Sequence, residues 1–287
     1  MKNFTKQIIE KMEERYPQAR ISVHECTKTN DIVLHGLTIL EQCENISPTI
    51  YLENYYEDYK NGISIDDIVT RISQVYEDNR VDFSVPAFDF ESVKNLIKCK
   101  IVNTKSNVRL LSSVPSISYL DLSIIFYWNV KEIVDGTITI TNALLEEWNV
   151  DKNELLTIAK QNMEYDMLLQ NMADILKSTL HLDEEEVFFN DDLGMYVLTN
   201  KEKNFGAAHI VCEKSLKKVA SFLNGDFIVI PSSIHEVIIL PYVTNISSEE
   251  LREMVSEVNI TQVAEHEILS YNVYIYRNED EQLSIFF

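Results

Sequence analysis

Apolar and polar positions along the chain recur with two periods, and their order predicts the order of helices and strands. Residues 3–15 place an apolar stripe on one helical face, whereas residues 20–27 and 31–40 are strand-like runs joined by a short polar turn. A third strand-like run covers residues 49–52, and Ser64 begins a capped amphipathic helix after it. The pattern therefore predicts an N-terminal α-β-β-β-α module.

The periodicity stops in a polar segment at residues 79–86, which ends in Pro86. Proline breaks a helix, and polar runs join packed elements, so this segment predicts a domain boundary. We expect a small α+β module over residues 1–80 and a larger domain over residues 87–287. With six glycines and six prolines in 287 residues, the composition predicts no flexible linker.

In the larger domain, strands are expected at residues 117–128 and 136–140. Asp151, with Glu154 three residues later, has the spacing of a capping box. It predicts the start of a long helix that runs to about Lys177.

The C-terminal third has the clearest pattern, in which pairs of strand-like runs alternate with amphipathic helices. Gly225 is predicted to stop the first helix, and Ser247 with Glu250 to cap the second. The second helix has the buried stripe Leu251, Met254, Val255 and Val258, and the strand pairs are 193–199 with 205–211, 227–230 with 235–240, and 268–276 with 283–287. The order ββα-ββα-ββ predicts an α+β fold with a mainly antiparallel sheet and helices on one face.

Acidic residues outnumber basic residues, 46 to 25, which gives a formal net charge of −21. Such a chain repels a phosphate backbone, so we expect no non-specific binding to nucleic acid. The acidic residues are dispersed, with short clusters at 183–186, 191–192 and 279–281, which is typical of a solubilising surface. The alternative is that the acidic surface itself mimics nucleic acid or docks a basic partner.

Cysteines at positions 26, 43, 99 and 212 form no Cys-x-x-Cys pair. This spacing is typical of free thiols in a reducing compartment. The N-terminal residues lack the apolar core of a secretory signal, and the apolar-rich run 117–130 is too short and too polar to cross a bilayer. We therefore expect a soluble cytoplasmic protein with no membrane partner.

The stretch Pro-Ser-Ser-Ile-His-Glu places Ser232, Ser233, His235 and Glu236 between two β-branched runs. A serine beside a histidine can support nucleophilic chemistry, which makes these four the candidate catalytic residues. However, no Gly-x-Ser-x-Gly elbow surrounds either serine, and Ile239 stands where a zinc protease motif needs its second histidine. We favour a structural turn in which the serines bond backbone groups and the His-Glu pair fixes the strand edge.

The His-Glu dipeptide also occurs at His24-Glu25 and His266-Glu267. Three such pairs could bring imidazoles and carboxylates together around a metal. Neighbouring residues of a strand point to opposite faces, however, so each pair can offer one ligand only. We interpret the repetition as coincidence and predict no metal site.

Four tyrosines, Tyr51, Tyr55, Tyr56 and Tyr59, are the candidate binding residues. A tyrosine side chain combines an apolar body with a polar end, which suits a binding surface and equally suits a half-buried helix start. The chain has no glycine-rich phosphate loop and no basic stripe with interleaved aromatic residues. We therefore predict no nucleotide cofactor, and no other cofactor motif is present.

Two groups of segments carry a family resemblance: Gly36-Leu37, 44–52, Tyr59, Gly62 and Ile68-Val69 in one, and 198–200, 206–208 and 230–238 in the other. Together they resemble, over nearly the whole chain, an uncharacterised family of gut Firmicutes known as domain of unknown function 5688. The order of elements after residue 107 resembles, more distantly, an uncharacterised Bacillus family, domain of unknown function 1444. Neither family has an established activity, cofactor or catalytic residue that could be carried over to this chain. Proximity of the first family to mobile-element genes implies an accessory or defence-related role.

These observations predict a non-enzymatic, acidic, cytoplasmic α+β protein that acts by binding another protein. A basic partner, and a mobile-element accessory or anti-defence role, are the sharper forms of this hypothesis. The alternative is a hydrolase or metal-dependent enzyme centred on His235 and Glu236. The two differ in whether those side chains converge with other polar groups in a pocket.

Overall fold

The computed structural model describes residues 1–42, 47–79, 89–130, 136–180, 194–243 and 246–287. The chain divides into two units, Met1–Asp89 with Val130–Gly136, and Phe90–Asn129 with Thr137–Phe287. Several sequence-based features lie outside the described residues: the predicted boundary from residue 80 onward, Cys43, and the acidic clusters at 183–186 and 191–192.

The first unit packs helices on a three-stranded antiparallel sheet of strand order β1-β2-β3. Its core joins Phe4, Ile8 and Met12 of the first helix to Ile68 and Ile72 of the last. The elements are α1 (Lys2–Arg15), β1 (Arg20–Thr27), β2 (Val33–Leu40), β3 (Ile50–Tyr51), α2 (Glu53–Lys60) and α3 (Ile65–Asn79). Helix α2 is therefore present in addition to the predicted α-β-β-β-α elements.

The second unit contains two antiparallel sheets, the first of which is built around one long strand. Its strands are β4 (Ile97–Asn103), β5 (Ile117–Tyr119), β6 (Leu122–Asn129) and β7 (Thr137–Thr139). Strand β4 pairs along one edge of β6, while β5 and β7 pair with the two ends of β6 along the other edge. Associated helices are α4 (Phe90–Val93), α5 (Val108–Ser113), α6 (Asn142–Trp148) and α7 (Lys152–Asn162).

The second sheet of this unit has six strands in the order β13-β12-β10-β11-β9-β8. They are β8 (Met167–Asn171), β9 (Tyr196–Asn200), β10 (Phe227–Pro231), β11 (Val237–Pro241), β12 (Tyr274–Arg277) and β13 (Gln282–Ile285), accompanied by α8 (Met172–Leu180), α9 (Glu213–Leu223) and α10 (Ser248–Thr261). On one face, Ile228 and Ile230 of β10 pack against Leu251 and Val255 of α10. The mixture of helices with antiparallel sheets confirms the predicted α+β class.

Several predicted helix caps are present. Ser64 Oγ accepts the N–H of Asp67 at 3.2 Å and donates to its carboxylate at 2.7 Å. Ser247 Oγ accepts the N–H of Glu250 at 3.3 Å at the start of α10. No helix in the described part of the chain combines the length and apolar character needed to span a bilayer.

The predicted long helix from Asp151 to Lys177 is wrong. Helix α7 ends at Asn162, and the chain then forms strand β8 before α8 begins. Strand β8 pairs with β9 over five residue pairs, from Met167 with Asn200 to Asn171 with Tyr196. Hydrogen bonding within the sheet thus overrides a local sequence that favours helix.

The predicted strand at residues 205–211 is also wrong, so the first ββ pair of the ββα-ββα-ββ order is absent. Gly206–Val211 form a 3-10 helix instead, entered through Phe205 at φ 56°. The 3-10 helix begins where Gly206 lies against Thr199 and the backbone of Asn200, an approach that a side chain at Gly206 would prevent.

Three smaller predictions are corrected where the backbone turns. Residues 117–128 form two strands because Leu120 adopts φ 56° between β5 and β6. Asn224 at φ 56°, rather than Gly225, provides the left-handed residue that ends α9. Strand β11 begins at Val237, so His235 and Glu236 lie in the turn before it and not in the strand.

Candidate functional site

The turn that connects β10 to β11 holds the four predicted catalytic residues. Ser233 N–H donates to the carbonyl oxygen of Glu236 at 3.1 Å, and His235 N–H donates to Ser233 Oγ at 3.0 Å. Ser233 therefore uses both its amide and its hydroxyl within the turn. Glu236 contributes its main-chain oxygen to the same closure.

The His235 side chain packs against Phe205 and bonds to its backbone. The two rings stack with centroids 5.3 Å apart and planes 16° apart. His235 Nδ1 accepts the N–H of Phe205 at 3.2 Å, and Thr199 Oγ1 donates to the His235 carbonyl oxygen at 2.9 Å. The histidine thus joins the turn to β9 and to the 3-10 helix. A nitrogen that accepts a backbone hydrogen bond is not free to take a proton from a substrate.

We expect acid to destabilise the protein through His235. Burial lowers the pKa of His235 from its ordinary value of 6.5, against the opposing effect of Glu267 and Glu236, and His266 and Lys100 lower it further. As pH falls below about 6.5, the unfolded chain binds this proton first, so stability declines until the folded state is also protonated. Well above pH 6.5 the His235 imidazole is neutral in both the folded and the unfolded state, so its full contribution to stability is present.

The measurement is thermal melting of wild type and His235→Gln between about pH 8 and pH 5, a range that brackets the unfolded pKa. The variant should melt lower at the upper pH, because losing a half-buried hydrogen bond of this kind costs about 0.5–1.5 kcal/mol. It should also lose less stability on acidification than wild type. If both proteins lose the same stability on acidification, His235 is not the group that makes the protein sensitive to acid.

Of the other two His-Glu pairs, His24-Glu25 lies in the first unit, whereas His266-Glu267 lies beside His235. His24 lines a cavity of about 300 Å³ in the first unit with Glu25 and His35. In the second unit, Glu267 Oε1 lies 3.7 Å from His235 Nε2 and 3.8 Å from His266 Nε2. In the described ranges, no three residues among His, Cys, Asp and Glu are grouped so that they could hold a metal ion.

The predicted binding tyrosines lie in the first unit. Tyr55, Tyr56 and Tyr59 pack on its core, with the Phe4 ring 5.4 Å from Tyr56 and 5.3 Å from Tyr59. The Lys28 ammonium lies 4.3 Å from the centroid of Tyr51. This packing favours the half-buried alternative and explains the aromatic content of the segment without a partner. Their role in binding stays a prediction.

A surface that the sequence predicted to be buried is exposed along α10. Leu251 and Val255 of the predicted stripe are buried, but Met254 is 55% exposed and Val258 is 41% exposed. Positions 254 and 258 are one helical turn apart and lie on the side of α10 that faces away from the sheet. We call the exposed set Glu250, Glu253, Met254, Glu257 and Val258 the outer face of α10.

The outer face of α10 is strongly acidic. Its three carboxylates form no ion pair within the described residues. The one basic residue of α10, Arg252, contacts Glu249 at 3.7 Å instead. The face therefore combines an apolar pair with uncompensated negative charge. Such a surface can bind a partner that offers the opposite charge and its own apolar residues.

A buried polar cluster in the second unit was missed by sequence reasoning. Its histidine, His209, lies in the 3-10 helix and is fully buried. Ser215 Oγ, in the first turn of α9, lies 3.0 Å from His209 Nδ1, and Asp166 Oδ1 lies 3.1 Å from His209 Nε2. The Asp166 contact is poorly aligned for a hydrogen bond, so its attraction is mainly electrostatic.

Lys98 of β4 completes the charge balance of this cluster. Its ammonium lies 2.8 Å from Asp166 Oδ2 and 3.0 Å from Glu202 Oε1. Burial raises the pKa of Asp166, but the attraction of His209 and the hydrogen bond and charge of Lys98 outweigh it and lower the pKa. Burial lowers the pKa of Lys98, whereas Asp166 and Glu202 raise it above its ordinary value. Both partners are therefore charged at neutral pH.

Ser215 also lines a cleft between α7 and the start of α9. The cleft has a volume of about 280 Å³, and its wall includes Cys212, Lys160 and Glu213. Lys160 Nζ is held 2.9 Å from Glu213 Oε1. A histidine, a carboxylate and a hydroxyl thus meet beside a small cavity. No local motif marks this arrangement, because its three residues come from separate elements.

Comparison with known proteins identifies the family of this chain. No curated protein and no solved structure is similar enough to match this chain. A family model described as a family of unknown function, DUF5688, matches residues 1–278. Because that match covers nearly the entire sequence, the chain belongs to the DUF5688 family.

Proposed function

We propose that the protein acts as a binding module that holds a basic protein segment on the outer face of α10. The observation that carries the proposal is an apolar pair, Met254 and Val258, exposed beside three carboxylates that have no ion-pair partner within the described residues. The occupant is a segment that presents lysine or arginine around apolar residues.

Charge and shape both favour that occupant. Met254 and Val258 are spaced as i and i+4, so they can pack against a short apolar ridge of a partner helix. Methionine adapts its shape to the partner, which suits a surface that is open when free. The carboxylates and the net charge of −21 attract a basic segment and repel nucleic acid.

A solubilising surface would not need the apolar pair. Single exposed apolar residues are ordinary on proteins, but here two lie one helical turn apart on the same side of α10, and Ile260 near the end of the helix is exposed as well. Solubility alone does not explain why acidic side chains surround Met254 and Val258. We extend the proposal to a cytoplasmic accessory or anti-defence role, in which the protein occupies a basic surface of another protein.

The enzyme alternative at His235 and Glu236 gains no support from the turn. His235 Nδ1 accepts a backbone hydrogen bond, and Ser233 is engaged within the turn itself. These contacts favour a structural role for Ser233 and His235.

The first test uses a lysine-rich helical peptide with leucines four residues apart, and a scrambled peptide of the same composition. Fluorescence anisotropy at about 0.1 M salt should show tighter binding of the ordered peptide and weaker binding at about 1 M salt. Changing Glu250, Glu253 and Glu257 to lysine should weaken binding more than tenfold, because like charges then face each other. Met254→Ala with Val258→Ala should weaken it about tenfold.

A matched control changes the same net charge elsewhere in the second unit. Glu146→Lys, Glu147→Lys and Glu279→Lys alter three exposed acidic residues away from α10. This control should bind the ordered peptide as tightly as wild type. If both triple variants lose the same affinity for the ordered peptide, or if the scrambled peptide binds as tightly as the ordered one, the interaction is general charge attraction and the proposal is wrong.

A further inference from the structure

We propose that Ser215, His209 and Asp166 form a nucleophilic site that hydrolyses a small carboxylic ester bound in the adjacent cleft. The inference is independent of the binding function assigned to α10. It rests on the contacts of 3.0 Å and 3.1 Å that connect the three side chains through the two nitrogens of one imidazole.

The arrangement gives each group a defined role. With its proton on Nε2, which faces Asp166, His209 presents a free lone pair on Nδ1 to the Ser215 hydroxyl. Asp166 is the positioning residue that holds this tautomer and stabilises the imidazolium formed during reaction. The nitrogens are exchanged relative to the serine proteases, but one nitrogen still faces the nucleophile and the other a carboxylate.

The surroundings suit acyl chemistry on a small substrate. His209 is fully buried and Ser215 is 4% exposed, so the hydroxyl and its base are shielded from bulk water while Ser215 still forms part of the cleft wall. Ser215 lies in the first turn of α9, where the helix dipole is positive. Lys160 lies in the same wall but is paired with Glu213 at 2.9 Å, so the helix dipole supplies the positive potential. A developing oxyanion would be stabilised there.

The reaction needs only the ester and water. Ser215 Oγ attacks the carbonyl carbon while its proton passes to His209 Nδ1. The bond to the leaving alcohol breaks, and the alcohol oxygen takes that proton. Water then attacks the acyl-Ser215 carbonyl and gives its proton to His209, which returns it to Ser215 Oγ as the carboxylic acid leaves.

The test is covalent labelling of the full-length protein by a fluorophosphonate, which an activated serine attacks with loss of fluoride. Intact mass and peptide mapping should show one adduct, on Ser215. Ser215→Ala should abolish it, and Asp166→Asn should slow it at least tenfold while circular dichroism shows that the protein remains folded. Ser221→Ala, which changes an exposed serine of the same helix, should label at the wild-type rate.

A purely structural cluster predicts a different outcome. If Ser215 only fastens α9 to the 3-10 helix, no adduct forms on it under conditions that fully label a known serine esterase. An adduct that persists in Ser215→Ala, or one on Ser232 or Ser233, would also overturn the proposal. None of these outcomes depends on peptide binding at α10, so the two proposals fail separately.

Discussion

Replacing Asp166 with alanine should destabilise the protein by about 3 kcal/mol, because it leaves Lys98 and His209 without their shared partner inside the second unit. Asp166 and Lys98 side chains are only 16% and 13% exposed, so water cannot fully compensate either charge. Chemical denaturation at neutral pH measures the loss. The midpoint should move without a change in slope, since the folded structure stays equally compact.

The matched control is a surface ion pair of the same unit. Lys217 lies 2.6 Å from Glu281, but both side chains are at least half exposed. Lys217→Ala should therefore change stability little, since water solvates the remaining carboxylate. A similar midpoint for the Asp166 and Lys217 variants would contradict the account of a buried, charge-balanced cluster.

Gly206→Ala should destabilise the protein by about 1–3 kcal/mol, the range expected when a tightly packed site must take an extra carbon. A β-carbon at this position would overlap the Thr199 side chain and the backbone nitrogen of Asn200. Backbone cannot move aside as a flexible side chain can, so β9 and the 3-10 helix must separate. That separation would also displace His209.

Gly225→Ala is the control for this substitution, because a β-carbon there meets no atom within 4 Å. Its denaturation midpoint should stay at or above that of wild type, since alanine restricts the unfolded chain more than glycine does. A wild-type midpoint for Gly206→Ala would show that the close approach of β9 and the 3-10 helix does not constrain the fold.

Features determined by neighbouring residues could be predicted from the sequence. The caps at Ser64 and Ser247 depend on a side chain and an N–H three residues later, and both are present. The pairing of β10 with β11 follows from two β-branched runs around a serine turn. The α+β class follows from such elements and required no knowledge of their packing.

Features created by tertiary contacts could not be predicted in this way. The segment after Phe205 has strand-like residues, but contact between Gly206 and β9 makes it a 3-10 helix. The Asp166–His209–Ser215 cluster depends on that helix and on strand β8. Because the sequence predicted a strand in place of the first and a helix in place of the second, it did not predict the cluster. The helical period of the apolar residues in α10 was predicted correctly. Periodicity alone, however, does not show which side of a wide apolar stripe packs against the sheet.

Binding of a basic protein segment to the outer face of α10 can be captured by site-specific photo-crosslinking in a lysate of the host organism. Met254 is replaced by p-benzoylphenylalanine, and Val108, which is 67% exposed on α5, is replaced in a control. We expect position 254, and not position 108, to crosslink to a lysine-rich or arginine-rich segment. This crosslink should disappear at high salt and when Glu250, Glu253 and Glu257 are changed to lysine. Crosslinks of equal yield from both positions, or to an acidic segment or nucleic acid, would show that the outer face of α10 does not bind a basic protein segment.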